Sequence, residues 1–263
     1  MTGRGRYLDG PFGQVHVREA GHGPLVVLLH QVPRSTDEFR DVLPLLAARG
    51  LHALAIDLPG YGASAPAVVD SIEAYADAVQ AGLAQLTDEP YALVGHHTGG
   101  VVAVEVAARA GEGVRALVLS STPYVDAEHR GRPAHGVDSV TPDDDGSHLL
   151  ALWRGRQDFY PAGRRDLLER FVRDALGAGT ARSAGGHAAV RAYRMEERLP
   201  LVTARTVLVA ATADPYAAPH APRLAAALPQ AQLVSIEGGM VPLPDQLPEQ
   251  FAAVVAEHVL DHQ

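Results

Sequence analysis

The sequence predicts an α/β protein with a mostly parallel central sheet, helices on both faces and a helical insertion. Three observations lead there. Short apolar runs alternate with helix-patterned stretches up to residue 123. The same rhythm resumes from residue 202 to the end. Between them, residues 124–201 are polar, aromatic and proline-bearing, without the alternation of a strand. Strands that alternate with helices build parallel sheets covered on both sides. The predicted organisation is therefore a core of residues 1–123 and 202–263, with residues 124–201 as a helical cap sitting over one edge as a lid.

Taken in order, residues 14–18 (Gln-Val-His-Val-Arg) alternate in polarity, as a half-buried strand does. Residues 25–29 form a continuous apolar run, the signature of a buried parallel strand. Residues 35–48 carry helical spacing, with Phe39, Leu43, Leu46 and Ala47 on one side. A second buried strand, 52–56, runs into a turn-rich loop from Asp57 to Gly62. A helix follows over 71–86 with Ser71 as N-cap. Residues 91–94 are a third short strand, 99–110 a helix of small residues, and 116–120 a fourth strand. Within the insertion, 149–156 and 166–176 are helix-like, and Asp143, Asp144 and Asp145 read as a solvated loop. Strands at 206–211 and 232–236 and helices at 219–228 and 249–260 complete the chain.

Composition narrows the function classes. The 263 residues are 47% hydrophobic and 20% charged, enough apolar material for a sizeable core. A net charge of −9 disfavours nucleic acid and anionic membrane surfaces as partners. No cysteine is present, which excludes disulfides and thiolate metal sites. Thirteen histidines invite a metal, yet no HExxH motif is present, and adjacent His96 and His97 suit one ion poorly. Residues 1–18 lack the apolar core of a signal peptide, and no stretch reaches membrane-span length. The expectation is a cytoplasmic protein acting on a small molecule without metal or cofactor. Oligomeric state is open.

The most informative segment is Leu93-Val94-Gly95-His96-His97-Thr98-Gly99-Gly100. An apolar strand passes directly into a small-residue helix through Gly-x-His-x-Gly. In every feature but its central residue this matches the nucleophile elbow, Gly-x-Ser-x-Gly. Such a turn thrusts its central side chain out at the carboxyl end of the sheet, where open α/β sheets place ligands. The helix amides point at the same spot.

Other segments agree in order and spacing, and with them the chain resembles the α/β-hydrolase superfamily. His30-Gln31-Val32-Pro33 is similar to the family's His-Gly-x-Pro. Asp57-Leu58-Pro59-Gly60-Tyr61-Gly62-Ala63-Ser64 resembles its D-x-P-G-x-G-x-S loop. Asp214 falls where the family keeps its acid, and Gly239-Met240 where it keeps Gly-His. Pro248-Glu249-Gln250-Phe251 resembles the P-E-x-F that opens the last helix. The resemblance implies the α/β-hydrolase fold, with a helical cap inserted in the core. It also implies an oxyanion hole made by the backbone N–H groups of Val32 and Thr98.

This chain departs from the pattern in two places that matter chemically. His97 stands at the nucleophile position and Met240 at that of the general-base histidine. A thioether cannot accept a proton from a nucleophile at neutral pH, so serine-type acyl transfer is not expected. Gln31 also replaces the glycine beside the oxyanion hole. The leading expectation is a His97–Asp214 dyad, with the carboxylate orienting an imidazole that serves as general base. Asp126, after the fourth strand, is the alternative acid. A base and an oxyanion hole without a nucleophile suit an isomerase, lyase or cyclase. Hydrolysis by activated water and non-catalytic ligand binding are the other two readings. Gln31, His96, Tyr124, His148, Trp153, Tyr160 and Met240 are the candidate pocket residues, although His96 also reads as packing. Arg156, Phe159 and His187 are further candidates in the cap. His30 and Asp57 read as loop-stabilising groups, and Arg34 as either a contact to an anionic substrate or a surface ion pair.

Overall fold

A computed structural model describes residues 3–131 and 140–260. Eight strands form one sheet in the order β1-β2-β4-β3-β5-β6-β7-β8. The strands are β1 (Arg4–Gly10), β2 (Gly13–Ala20), β3 (Leu25–Leu29), β4 (His52–Ile56), β5 (Tyr91–His96), β6 (Val114–Ser120), β7 (Arg205–Ala211) and β8 (Gln232–Ile236). β1 pairs antiparallel with β2, and β2 antiparallel with β4. Every pairing from β4 through β3, β5, β6 and β7 to β8 is parallel. β3, β5 and β6 are almost wholly buried, which explains why they read as unbroken apolar runs.

The core helices are α1 (Val42–Ala47), α2 (Ile72–Leu83) and α3 (Thr98–Ala110). The insertion carries α4 (Ala127–Gly131), α5 (Ser147–Gln157), α6 (Arg165–Ala178), α7 (Thr180–Ala192) and α8 (Met195–Arg198). The chain closes with α9 (Ala221–Ala227), α10 (Leu243–Gln246) and α11 (Pro248–Leu260). Ser71 caps α2 as expected, its side chain accepting from the Ala74 N–H at 3.0 Å. Two apolar layers flank the sheet. One packs α2 and α3 against it, and the other packs α1 and α11.

Four expectations are corrected. Residues 35–48 are not one helix: Thr36–Phe39 is a short 3-10 turn and α1 begins at Val42. Pro44 explains the break, because its ring clashes with the carbonyl four residues earlier and it has no N–H to continue the ladder. Strand β1 was not expected at all; it pairs only along one edge, with β2. Helix α7 also escaped the reading, since Gly185 and Gly186 in its middle weaken the helical signal. Finally, the insertion does not sit over one sheet edge. It touches the loops at the carboxyl ends of central strands: Arg34, after β3, pairs with Asp174 of α6, and Phe159 packs on Tyr216, after β7.

Candidate active site

His97 occupies the turn between β5 and α3, at φ 48 and ψ −113. A non-glycine residue held in that region stores roughly 1–3 kcal/mol of backbone strain. Neighbours hold it there. The His97 N–H donates to Ser120 O at 3.0 Å, and the His97 carbonyl accepts from Gly100 N at 2.9 Å. Gly99 lets α3 approach β3, for a Cβ there would lie 2.0 Å from the Leu29 carbonyl oxygen. Ser121, the other non-glycine residue with positive φ among the described residues, ends the adjacent β6 at φ 45. Its hydroxyl is buried and has no hydrogen-bond partner among the described residues.

Asp214 reaches the site from the turn after β7. Its side chain is fully buried, while that of His97 is 14% exposed. His97 Nε2 lies 2.7 Å from Asp214 Oδ2, an ion-pair contact not aligned as a hydrogen bond. Asp214 Oδ1 accepts from the N–H groups of Tyr216 at 3.0 Å and Ala217 at 3.1 Å. Burial works to raise the Asp214 carboxyl, but the charge and contact of His97, with the Ala217 N–H, outweigh it and hold the group at about 2. The carboxylate is thus ionised and fixed by the turn, with His97 Nε2 facing it. His97 Nδ1, on the other side of the ring, has no partner among the described residues.

His96 is fully buried, so it packs rather than lines an open surface. Burial, then the charge of His97, lower it to about 3, and the ring is neutral. The Val241 carbonyl can only accept, so Nε2–H donates to it at 2.9 Å and Nδ1 accepts from the Ser120 hydroxyl at 3.0 Å. The ring meets His97 edge-on, with centroids 4.8 Å apart.

The loop after β3 brings Val32 to the opposite side. Among the described residues, neither the Val32 nor the Thr98 N–H has an acceptor. His30 Nδ1–H donates to Gln31 O at 2.8 Å, and Nε2 accepts from Leu58 N at 2.9 Å, which ties this loop to the next. Asp57 secures that neighbour by accepting from Thr36 N at 2.6 Å, Ala63 N at 2.9 Å and His16 Nδ1 at 2.7 Å. Gln31 is drawn inward: its N–H and side-chain amide donate to Glu38 at 2.9 Å and 2.6 Å. Arg34 is neither at the surface nor free for an anion. Its side chain is wholly buried and paired with Asp174 at 2.9 Å and Asp245 at 2.5 Å.

The remaining sequence candidates disperse. Asp126 caps α4 through His129 N at 2.9 Å and pairs with Arg223 at 2.5 Å. Tyr124 lies under the Arg223 guanidinium, 5.2 Å from ring centroid to carbon. His148 turns back on the Asp143 N–H at 3.0 Å. Trp153, Phe159 and Tyr160 join the small apolar cluster of the insertion with Phe171. Met240 is half-buried, and its N–H donates to Gln246 at 2.7 Å. Sequence reasoning missed Tyr216, whose ring packs 4.8 Å from Phe159 and joins the insertion to the Asp214 turn. Its position two residues beyond Asp214 was the available signal. Asp174 and Asp245 were also missed, because single acidic residues carry no spacing signature.

The profile of the α/β hydrolase fold family matches residues 24–240, and the chain belongs to that family. It is 35% identical to bifunctional epoxide hydrolase 2 of Sus scrofa over 124 residues, which is 46% of this chain and 22% of that protein. It is 29% identical to the polyketide synthase ThaQ of Burkholderia thailandensis over 242 residues, 88% of this chain and 12% of the synthase. The chain therefore spans under a quarter of the length of these curated relatives. An esterase from Exiguobacterium antarcticum superposes with a TM-score of 0.84 at 20% identity, covering 97% of this chain and 99% of the esterase. Identity that low shows a shared fold alone. Among the described residues, no helix is long and apolar enough to cross a membrane.

Proposed function

We propose that this protein is an enzyme in which His97, oriented by Asp214, acts as general base on a small, mostly apolar organic substrate. The reaction is proton abstraction leading to cyclisation, isomerisation or bond cleavage. One observation carries the reading: an imidazole at the strained elbow, with its Nε2 2.7 Å from a buried, ionised carboxylate. Nδ1 takes a proton from carbon next to a carbonyl, and the C–H electron pair becomes the enolate, with its charge on oxygen. The Val32 and Thr98 N–H groups receive that oxyanion, the kind of donor whose removal costs about 10²–10³ in rate. Asp214 stabilises the imidazolium formed. The proton then returns to another atom, or the enolate carbon closes on an electrophile in the same molecule, or a β-leaving group departs. Residues 124–201 serve as a cap that excludes water and shapes the apolar pocket.

The long match to a segment of a polyketide synthase supports a biosynthetic setting. Polyketone chains carry carbonyls on alternate carbons, and the protons between them are acidic enough for an imidazole base. The test is deuterium exchange at the activated carbon of a 2-alkyl-1,3-diketone in D2O, followed by NMR. The folded wild-type protein accelerates exchange, and His97→Ala loses about 10²–10⁴ of that rate. Equal exchange by the two proteins would end the proposal.

A second reading has one observation in its favour, the similarity to an epoxide hydrolase. Here Nδ1 deprotonates water, the hydroxide opens an epoxide or cleaves a lactone or activated ester, and the imidazolium returns the proton to the departing oxygen. Oxygen-18 from labelled water then enters the product of an aryl epoxide or aryl ester probe. Its absence from product rules out hydrolysis.

A further inference from the structure

The loop that carries Val32 is tied to the insertion by a buried charge network. Arg34 Nε donates to Asp174 of α6 at 2.9 Å, and the Ser35 hydroxyl donates to the same oxygen at 3.1 Å. Arg34 Nη1 donates to Asp245 of α10 at 2.5 Å. Arg170 of α6 meets the other Asp245 oxygen at 2.8 Å and Asp37 at 2.8 Å, and Arg173 also donates to Asp37 at 2.7 Å. The Arg34 N–H closes a turn onto Gln31 O at 2.8 Å, so Val32 sits inside a loop whose far end is this arginine. The near end is held by Glu38, which accepts both Gln31 donors. From above, α7 packs on Val32 itself: a Cβ on Gly186 would lie 2.9 Å from both Val32 methyl groups.

We propose that Arg34 is a positioning residue which couples docking of α6 to the set of the Val32 N–H, so that the oxyanion hole is built only beneath a docked insertion. The proposal rests on the reading of Val32 as an oxyanion donor. A buried guanidinium holds its place only while its carboxylates do, since removing one partner strands a charge out of water. Arg34 joins α6, α10 and the Val32 turn through one rigid planar group, whose several donors a lysine cannot reproduce. α10 extends the coupling to the elbow, because the preceding Val241 carbonyl accepts from His96, the neighbour of His97. The same network explains why glutamine is accepted at position 31, where the family has glycine. Its side chain is pulled toward Glu38.

The test uses Asp174→Ala and Arg34→Lys in the full chain, with Arg164→Ala as control. Among the described residues, the Arg164 guanidinium hydrogen-bonds to exposed Asp166 at the start of α6. Hydrogen-exchange mass spectrometry reads α6 and residues 31–35 separately, and diketone exchange reads the site. In Asp174→Ala, amide exchange rises about tenfold in both segments together. Maximal diketone exchange falls by a similar factor with little change in the probe concentration for half-saturation. Arg34→Lys behaves alike although it keeps the charge, and Arg164→Ala matches wild type. Loosening of α6 while residues 31–35 keep wild-type protection would overturn the proposal, as would full rescue by lysine. If wild type fails to exchange the diketone, the functional reading falls, whereas the amide measurement still decides the coupling.

Discussion

Replacing Asp214 by asparagine probes the dyad with almost no change of shape. The amide oxygen still accepts from the Tyr216 and Ala217 N–H groups, so the turn after β7 survives. Two things are lost. The carboxyl is held at about 2 against an ordinary 3.8, a shift worth roughly 2.5 kcal/mol at 1.36 kcal/mol per unit. An amide NH2 facing Nε2 also obliges that nitrogen to accept, which moves the ring proton to Nδ1 and occupies the base. If the electrostatic part alone stabilises the imidazolium in the transition state, diketone exchange falls by about 50- to 100-fold. The tautomer change deepens that loss. The stability linkage has a definite sign. The folded pKa lies below the unfolded one, so the contribution is present above about pH 4 and is lost as pH falls through about 2. Urea melts at pH 6 should show Asp214→Asn less stable by roughly 2 kcal/mol, with the gap closing toward pH 2. Exchange within threefold of wild type, or a stability gap that persists unchanged into acid, would refute the reasoning.

Three other outcomes are expected. Gly99→Ala brings a methyl to 2.0 Å from the Leu29 carbonyl oxygen, so urea melts should show a loss of about 3–5 kcal/mol or no cooperative fold. Ser121→Gly releases a strained φ of 45 and should stabilise by about 1 kcal/mol, the strain less the added chain entropy of glycine. Burial pushes Glu38 up to about 8, against Arg34 and its Gln31 donors. Its folded pKa is raised, so its contribution is full below about pH 4.5 and is lost as pH rises through about 8. Glu38→Gln, which mimics the protonated acid, should flatten the pH dependence of stability between pH 5 and about 9 in urea melts. A variant that keeps the wild-type slope would show that Glu38 is ionised throughout.

Much of the core was legible because its signals are local. β3 and β4 fall where the apolar runs end, and the elbow is spelled by small residues around one turn. Those patterns come from burial on both faces and from steric demands within a few residues. Helix α7 was hidden for a local reason too, since two glycines erase the propensity that would announce it. The edge strand β1 makes few apolar contacts and so prints little of itself in the chain.

By itself, the sequence determined an α/β-hydrolase core with an imidazole at the elbow and no histidine at the position taken by Met240. Tertiary structure alone decided how near each candidate acid comes to that imidazole and what Arg34 binds. Motif position favoured Asp214 over Asp126 without saying what either touches; in the fold Asp126 is spent on a helix cap and Arg223, while Asp214 lies 2.7 Å from His97. Arg34 finds its carboxylates on α6 and α10, far along the chain. A charge pair leaves no periodic trace, because its energy depends on distance and burial, and both are set only once the sheet has brought remote loops to one end.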